Sequence, residues 1–496
     1  MKLKTGKPNI LLLFSDQHRA DVLGCENHPD VSTPNLDKLA GEGVRFERAY
    51  CQDGVCVPSR CSFISGIYPR SLGCLDNGDR SPVMDKIVSM QKMFQSNGYL
   101  TAAFGKRHLF QACDEGWDIR KSHLIEEHDK EDYMKWVSSQ GYGKEFARDW
   151  AAEWGGSHPE GPEGAGEFPV APLCARPTLL PENMTAEAYT KNETIGLLEK
   201  CSKENRPFFI FSSFLRPHQP YTPLQKYYDL FDRSHWGKGR LAGDGIAKPP
   251  AFDQSPDELP PLLRERMMKT GLPWNHKPAH EDQQIFRDAI AAYYACMMEI
   301  DTCIGQIMKA LEKHGLKENT IVLYTSDHGE FAGGHGIMEK IAPGHNVYED
   351  TLRVPLIISC PSHLRKGVVS QDLVELVDIY PTLMELCSCK ASAGMQKLQG
   401  RSLSSHIKEG VPVGREFAVS ENWSQASVIT RRYKLGIWLE PGKKGAADFR
   451  ASGDMLFDRE KDPFELRNLC SDMEHSELKD RLSRAYADWR HSLFQG

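Results

Sequence analysis

The sequence predicts an α/β fold: a large, mostly parallel sheet flanked by helices, followed by a smaller C-terminal α+β domain that carries an antiparallel sheet. Three observations lead to this prediction. Continuous apolar runs, typical of strands buried on both faces, recur along the first part of the chain. Each run alternates with a segment of helical periodicity. From about residue 371 this alternation ends, so we expect one domain over residues 1–370 and a second over residues 371–496.

The first strand and helix are recognised from their apolar pattern and their end residues. Residues 9–14 form a short apolar run that predicts a buried strand. A helix follows, because Thr33 can cap it, Pro34 suits its first turn and Gly43 can end it. Three further helix–strand pairs show the same pattern: a helix ending at Gly98 with a strand over 99–106, a helix over 185–200 with a strand over 207–214, and a helix over 285–314 with a strand over 320–327.

The remaining segments are less regular. Between about residues 120 and 180 the pattern weakens, and the Gly- and Pro-rich stretch 155–169 predicts a loop. The segment VELVDIYPTLMELC predicts one more strand and helix. SVITRRYKLGIWL and DMLFDRE predict strands of the small antiparallel sheet, and an amphipathic helix is expected over 473–493.

Composition narrows the class of protein. With 40% hydrophobic and 26% charged residues, the 496-residue chain is typical of a globular protein. The net charge of −7 argues against a nucleic-acid or membrane-surface partner. Fourteen cysteines fit a reducing compartment in which most are buried apolar groups. The N-terminal apolar run is too short for a signal peptide, so we expect a cytoplasmic protein. No oligomeric state is predicted.

Polar residues with ligand-type side chains follow the ends of the predicted strands. Ligands gather at the carboxyl ends of parallel strands, so these residues should line one edge of the sheet. They are Asp16, Gln17, Lys106, Arg216, His218, Asp327 and His328, and Gly105 stands beside Lys106 at the end of its strand. Carboxylate and amide oxygens suit a hard cation such as Ca²⁺ or Mg²⁺, and the imidazole leaves Mn²⁺ or Zn²⁺ open. For any one segment alone, a capped turn or a solvated loop is the alternative.

The stretch CQDGVCVPSRCSFISG, residues 51–66, contains three cysteines, and the role of the middle one, Cys56, has to be explained. Pro58 favours a tight turn into a helix, which would place Cys56 at a helix N-terminus. Arg60 falls one turn later and could balance a carboxylate-rich metal site and hold an anionic substrate. A disulfide, a metal knuckle and core packing are the alternatives to a nucleophile. For Cys51 and Cys61, packing is the favoured interpretation.

Within this stretch, CVPSRCSFISG closely resembles the signature of the type I, formylglycine-dependent sulfatases. The resemblance extends over nearly the whole chain, through PNILLLFSDQHRADVLG, TPNLDKLAGEGVRFERAY, GKRHL, RPHQPYTP, YYACMMEIDTCIGQIM, SDHGE, RVPLI, RRYKLGIW and MLFDREKDPFELRNL. It implies an alkaline phosphatase-like fold with a smaller C-terminal α+β domain. It also implies that a separate maturation enzyme oxidises Cys56 to formylglycine.

The resemblance assigns roles to matched positions. It implies a metal site of Asp16, Gln17, Asp327, His328 and the modified Cys56, with Ca²⁺ favoured and Mg²⁺ or Mn²⁺ as alternatives. Many relatives have two acids at the first position and Asp-Asn at the second, so Gln17 and the Asp-His pair depart from that pattern.

Further residues match the family's catalytic positions. Arg60 would polarise the nucleophile, and Lys106 and Lys340 would bind the sulfate. His218 and Lys340 would assist the leaving alcohol, while His108 would act as the base. Arg70, Arg216, His335 and His345 are further candidates for substrate contact.

The chemistry implied is hydrolysis of a sulfate monoester. The hydrated aldehyde carries two hydroxyls: one attacks sulfur, and deprotonation of the other expels sulfate and restores the aldehyde. We expect a small sulfated molecule as substrate, in the first place a carbohydrate O-sulfate, with aryl sulfates as artificial substrates. A formylglycine-dependent phosphonate monoester or phosphodiester hydrolase is the nearest alternative. A non-catalytic anion- or carbohydrate-binding protein is the second.

Overall fold

The protein is described from a computed structural model, which covers residues 7–122, 132–154, 162–204, 206–260, 263–264, 282–340, 347–422, 425–439 and 453–493. The strands are β1 (Asn9–Asp16), β2 (Val44–Phe46), β3 (Ala49–Tyr50), β4 (Leu100–Gly105), β5 (Ile119–Lys121), β6 (Phe208–Pro217), β7 (Trp236–Gly237), β8 (Ile246–Ala247), β9 (Thr320–Ser326), β10 (Leu356–Ser359), β11 (Val368–Ser370), β12 (Val374–Glu375), β13 (Ala418–Glu421), β14 (Gln425–Ile429), β15 (Tyr433–Trp438) and β16 (Met455–Asp458).

The α-helices are α1 (Pro34–Gly41), α2 (Cys56–Ser65), α3 (Pro69–Leu72), α4 (Met90–Ser96), α5 (Asp132–Ser139), α6 (Gly143–Trp154), α7 (Ala186–Cys201), α8 (Gln225–Tyr228), α9 (Gln283–Lys313), α10 (Glu349–Leu352), α11 (Ile379–Leu386), α12 (Ser404–Glu409) and α13 (Ser476–Ser492). Within these described ranges, no helix has both the length and the apolar character needed to span a membrane.

The large sheet has eight strands in the order β11-β2-β10-β9-β1-β6-β4-β5. β1 pairs in parallel with β6 and β9, and β4 pairs in parallel with β5 and β6. β10 runs antiparallel to both of its neighbours. The predicted α/β fold with a mostly parallel sheet is therefore confirmed.

Helices cover both faces of this sheet, and the alternation of side chains along β1 explains why. Ile10, Leu12 and Phe14 belong to the core on one face, packed against α2, α4 and α11. Leu11 and Leu13 belong to the core on the other face, packed against α1, α7 and α9. Successive strand residues point to opposite faces, so a continuous apolar run is what a strand between two helical layers requires.

The parallel strands bring separate segments of the sequence to one edge. β1, β4, β6 and β9 lie next to one another and run in the same direction. The residues that end these strands or follow them therefore meet at the same edge, as the sequence predicts.

The C-terminal part contains a second sheet of four antiparallel strands, β13-β14-β15-β16. This confirms the predicted antiparallel sheet, and α13 forms where the amphipathic helix is expected. The short β12 pairs with β3, just before the stretch that contains Cys56. The backbone N–H of Glu421 donates to the carbonyl of Gln52 at 2.7 Å. The division at residues 370 and 371 stays a prediction.

The weakly patterned region contains two helices that the sequence reasoning did not identify, α5 and α6. They pack against each other and against the start of α7 through a small aromatic cluster that includes Tyr133, Phe146 and Tyr189. Residues 155–161 of the predicted loop lie outside the described residues.

Candidate active site

Cys56 is the first residue of α2, and the stretch around it is buried. Two polar side chains fix the backbone on either side of it. Asp53 Oδ1 accepts a hydrogen bond from the N–H of Val55 at 2.9 Å. Asn77 Oδ1 accepts one from the N–H of Val57 at 3.0 Å. The predicted turn into a helix is present, and it holds the thiol at the helix N-terminus.

The thiol of Cys56 lies among three potential metal ligands from distant parts of the chain. Its Sγ is 3.2 Å from His328 Nε2 and 3.9 Å from Asp16 Oδ1. His328 Nε2 is in turn 3.8 Å from Asp16 Oδ1 and 3.8 Å from Asp327 Oδ1. One ligand atom from each of the four residues lies within 4.8 Å of the others, and all four residues are buried. The structure thus brings these four predicted residues together.

Arg60 bridges the two aspartates of this cluster. Its Nε donates to Asp327 Oδ2 at 2.6 Å and its Nη2 to Asp16 Oδ2 at 3.1 Å. Nη1 donates to the carbonyl of Lys106 at 2.9 Å and to Ser213 Oγ at 3.2 Å. A guanidinium with this many acceptors is fixed in orientation, and its positive charge compensates the two buried carboxylates.

Lys106 adds a second positive charge beside the same carboxylate. Its Nζ is 2.5 Å from Asp16 Oδ2. Burial favours the neutral form of Asp16, but the positive charges of Lys106 and Arg60 outweigh it and hold the pKa of Asp16 well below its usual value. Burial also opposes the charge on Lys106, yet attraction to Asp16 raises the pKa of its ammonium group. Both groups are therefore ionised at neutral pH.

Gln17 lies beside the cluster, in a left-handed backbone conformation with φ 66°. Its N–H donates to Asp327 Oδ1 at 3.0 Å, which fixes that carboxylate. Its amide oxygen accepts a hydrogen bond from Lys340 Nζ at 2.7 Å. Its amide nitrogen donates to Gln219 Oε1 at 2.8 Å and to Glu330. The predicted role of Gln17 as a metal ligand stays a prediction, since its side chain here contacts Lys340.

Lys340 and His218 form a pair. Lys340 Nζ is 3.2 Å from His218 Nε2 and 3.2 Å from Glu339 Oε1. His218 Nδ1 is 2.5 Å from the carbonyl of Gln219, so Nδ1 carries a proton and Nε2 accepts from the ammonium group. Burial and the nearby charges of Lys340 and Lys106 hold the pKa of His218 well below its usual value. The imidazole is therefore neutral, and it accepts a hydrogen bond from the ammonium group of Lys340.

A cavity of about 280 Å³ lies next to Cys56. The predicted catalytic residues Lys106, His108, His218 and Lys340 all line it. Arg216 lines it as well, and its guanidinium pairs with the buried carboxylate of Glu187.

The other candidates for substrate contact lie elsewhere. Arg70 donates to the carbonyl of Asn422 at 2.6 Å, and His335 Nδ1 is 2.5 Å from Gln254 Oε1. Neither belongs to the described lining of the cavity. His345 lies outside the described residues.

The two cysteines that flank Cys56 pack into the protein core. Both Cys51 and Cys61 are fully buried and belong to the apolar cluster on the α2 side of the sheet. Cys51 Sγ is 3.7 Å from the carbonyl of Thr351.

Several residues of the site escaped the sequence reasoning. No pattern in the sequence marks Asn77, Glu330 or Glu339 as residues of the site. The cavity wall from α6 could have been found, because Phe146, Trp150 and Trp154 recur four residues apart.

The cluster around Cys56 fits a hard divalent cation. It offers two carboxylates and one imidazole whose ligand atoms already converge. Oxidation of the Cys56 thiol to an aldehyde would exchange its soft sulfur for oxygen. Carboxylate oxygens suit Ca²⁺ and Mg²⁺, and a mixed oxygen and imidazole set also suits Mn²⁺.

Comparison with known proteins decides the family. The family model described as Sulfatase matches residues 8–388 of this chain. The chain belongs to the sulfatase family. The predicted enzyme class, a sulfuric ester hydrolase, is therefore confirmed. A second family model, described as N-sulphoglucosamine sulphohydrolase, C-terminal, matches residues 333–492 of this sulfatase.

Individual relatives agree with this assignment. The sulfatase is 29% identical to an arylsulfatase of Clostridium perfringens, over 96% of this chain and 93% of that protein. In fold it is similar to the phosphonate monoester hydrolase of Agrobacterium radiobacter, with a TM-score of 0.78 and 22% identity over 98% of this chain and 96% of that one. It is also similar to a structure in complex with its substrate D-glucosamine-2-N,6-O-disulfate, with a TM-score of 0.71 and 21% identity over 97% of both chains.

Proposed function

We propose that this sulfatase hydrolyses a carbohydrate O-sulfate, with a formylglycine made from Cys56 as nucleophile and a divalent cation beside it. The observation that carries the proposal is the position of Cys56. Its sulfur lies 3.2 Å from His328 Nε2 within the cluster of two aspartates and lines the same cavity as Lys106, His218 and Lys340.

The cation would be held by Asp16, Asp327, His328 and the modified residue 56, with Ca²⁺ favoured and Mg²⁺ or Mn²⁺ as alternatives. When present, the formylglycine hydrate supplies the nucleophilic oxygen and the cation supplies positive charge next to it. Gln17 could join the ligands only if its amide oxygen exchanged its hydrogen bond from Lys340 for the metal.

The residues of the chain would bind and orient the sulfate group. Arg60 is held by both aspartates, so its charge stays at the nucleophile throughout the reaction. Lys106 and Lys340 both line the cavity and would neutralise the sulfate oxygens as negative charge develops on them. Because these cations are already buried and oriented, little reorganisation is needed when the ester bond breaks.

Two histidines would handle the protons. The neutral His218 accepts a hydrogen bond from the ammonium group of Lys340 and orients it, so that Lys340 can donate a proton to the leaving alcohol. His108 lines the cavity and would take the proton that must leave residue 56 before sulfate departs.

A sulfated sugar is the proposed substrate class. The C-terminal family match names an N-sulphoglucosamine sulphohydrolase, and a structural neighbour binds a disulfated glucosamine. Aryl sulfates would serve as artificial substrates. The proposal includes a separate maturation enzyme that converts Cys56, and cytoplasmic location stays a prediction.

The test uses enzyme coexpressed with a formylglycine-generating enzyme. Mass spectrometry of the peptide that holds residue 56 should show the loss of sulfur and two hydrogens and the gain of one oxygen. Turnover of 4-nitrophenyl sulfate should rise in proportion to the converted fraction. Full activity with an intact thiol would overturn the mechanism.

The same preparation separates the alternatives. A phosphonate monoester or phosphodiester hydrolase would turn over a 4-nitrophenyl phosphonate or phosphodiester faster than the sulfate ester with the same leaving group. A non-catalytic binding protein would turn over none of them, even when residue 56 is fully converted.

A further inference from the structure

The lining of the cavity includes more residues than those proposed to bind sulfate. A second part of it, here called the far end, comes mainly from α5 and α6, which take no part in the chemistry described above. The described residues that line this end are Tyr133, Phe146, Asp149, Trp150, Glu153, Trp154, Leu180, Arg216 and Thr222. This is where the alcohol part of a sulfate ester would lie when its sulfate group meets Cys56.

The charged side chains differ between the two parts of the lining. The sulfate end holds the basic groups Lys106 and Lys340, with the acid Glu339 paired to Lys340. The far end holds two carboxylates, Asp149 and Glu153, one helical turn apart on the same face of α6. Both are only 4% exposed.

The basic residue at the far end is already paired. Arg216 forms a buried ion pair with Glu187 and donates to Thr222. Another acid, Glu299, lies close enough to be influenced by Arg216, but burial beside Glu187 raises the pKa of Glu299 to about 7, so it is only partly ionised at neutral pH. The charge of Arg216 is therefore balanced mainly by Glu187, which leaves little positive charge for a second anion on the substrate.

Asp149 has an unused acceptor. Its Oδ2 accepts from Thr178, but its Oδ1 is buried and has no hydrogen-bond partner. Burial raises the pKa of Asp149 to about 6 against the attraction of Arg216, so the group is mostly ionised at pH 7. A buried carboxylate oxygen without a partner is costly, and a hydroxyl group of the substrate is a donor that would satisfy it. Arg216 Nε, also buried and without a partner, is a matching donor on the same wall.

The volume of the cavity and its aromatic lining restrict the kind of ligand that can bind there. Ligand cavities usually measure about 300–1,000 Å³, so a volume of about 280 Å³ suits one ring rather than a chain of sugars. Tyr133, Phe146 and Trp150 supply aromatic surface against which the apolar face of a pyranose ring can pack.

From these observations we propose that Asp149 and Arg216 form the specificity site for the leaving alcohol, which accepts one monosulfated and otherwise uncharged sugar ring. A sugar with a second sulfate or a carboxylate would place negative charge against Asp149 and Glu153. The inference rests on the proposed function and deepens it. It also predicts a different substrate preference from that of the structural neighbour whose substrate carries two sulfates.

The experiment compares three substrates on fully converted enzyme: N-acetylglucosamine 6-sulfate, glucosamine 2-N,6-O-disulfate and 4-nitrophenyl sulfate. For wild type, kcat/KM for the monosulfated sugar should exceed that for the disulfated sugar at least about tenfold, because like charges in a buried site repel strongly. Asp149→Asn should lower kcat/KM for the monosulfated sugar by roughly tenfold relative to 4-nitrophenyl sulfate, and should reduce the preference over the disulfated sugar.

Two further variants sharpen the result. Glu145→Gln removes the same charge one turn earlier on α6, where the residue does not line the described cavity, and should behave as wild type. Glu153→Gln removes the second carboxylate and should also relax the discrimination against the disulfated sugar. It keeps the inference testable should Asp149→Asn fail to fold, which thermal unfolding would reveal.

Each outcome has a clear meaning. Equal or faster turnover of the disulfated sugar, or unchanged selectivity in both carboxylate variants, would overturn the specificity site while leaving the proposed function in place. Turnover of 4-nitrophenyl sulfate without either sugar would overturn the specificity site and the carbohydrate part of the proposed function, and would leave sulfate ester hydrolysis alone. Absence of turnover for all three esters, with residue 56 converted, would overturn the proposed function and the specificity site together.

Discussion

Replacing Arg60 by methionine should destabilise the metal-free protein by about 3–5 kcal/mol. The guanidinium is 2% exposed, and its two carboxylate partners, Asp16 and Asp327, are fully buried. Methionine keeps most of the length of the side chain and removes its charge. The variant therefore leaves two carboxylates in the core with one cation fewer, and the cost is that of breaking a buried ion pair rather than that of lost packing.

The measurement is urea unfolding at pH 7.5 in the presence of a chelator, with Arg432→Met as matched control. Arg432 also contacts a carboxylate through two nitrogens, at 3.0 and 2.7 Å from Asp458, but it is 39% exposed. Solvent screens that pair, so its loss should change stability far less.

Calcium provides a second readout. Addition of Ca²⁺ at about 100 times its Kd should stabilise either protein by about 2.7 kcal/mol if the folded state alone binds it. In Arg60→Met the cation replaces part of the lost positive charge, so its stabilisation should be at least as large as in wild type. A loss of stability below about 1 kcal/mol, or one equal to that of Arg432→Met, would refute the reasoning.

Three further predictions follow from the same structure. Cys56→Ala should abolish sulfate ester turnover and change the free energy of unfolding by only about 1 kcal/mol, because one sulfur atom is lost. Residual activity and the urea midpoint of unfolding, compared with those of wild type, check this prediction. Retained turnover would contradict it. Asp327→Asn should weaken Ca²⁺ binding more than roughly tenfold by calorimetry, since the carboxylate charge disappears and the shape does not; unchanged affinity would remove Asp327 from the metal site. Burial raises the pKa of Asp301 to about 6, above its usual 3.8, so the folded state favours its protonated form. Its contribution to stability is therefore largest below about pH 4 and falls by about 3 kcal/mol as the pH rises through 6; Asp301→Asn should remove this part of the pH dependence, and parallel pH profiles would contradict the assignment.

Much of the fold could be predicted from the sequence because its elements carry local signals. β1 lies between two helical layers, and its residues are all apolar from Ile10 to Phe14. α1 has a proline in its first turn, and α9 shows helical periodicity over 31 residues. Signals of this kind depend on a few neighbouring residues, so they can be detected without knowledge of the tertiary structure.

The site was partly predictable for a different reason. Asp16 and Asp327 follow strands whose parallel order places their ends together, so topology alone predicts that they meet. The hydrogen bond between Gln17 and Lys340 depends on side-chain packing across more than 300 residues of sequence, which no local pattern encodes. The unpartnered oxygen of Asp149 is of the same kind, since it results from how α6 packs and not from the residues next to it.

The pairing of β12 with β3 bears on when Cys56 can be modified. Residues 51–66 are buried in the finished protein, and strands from the C-terminal part hold the segment just before them. Under the proposed mechanism, a maturation enzyme would have to reach residue 56 while this stretch is still an open peptide, before the later residues are made. At about 5–20 residues per second, ribosomal synthesis of the rest of the chain allows on the order of tens of seconds. Under the proposed mechanism, slow oxidation would leave folded molecules that keep the thiol at residue 56 and are inactive. The rate of synthesis downstream of residue 56 would then influence the yield of active enzyme.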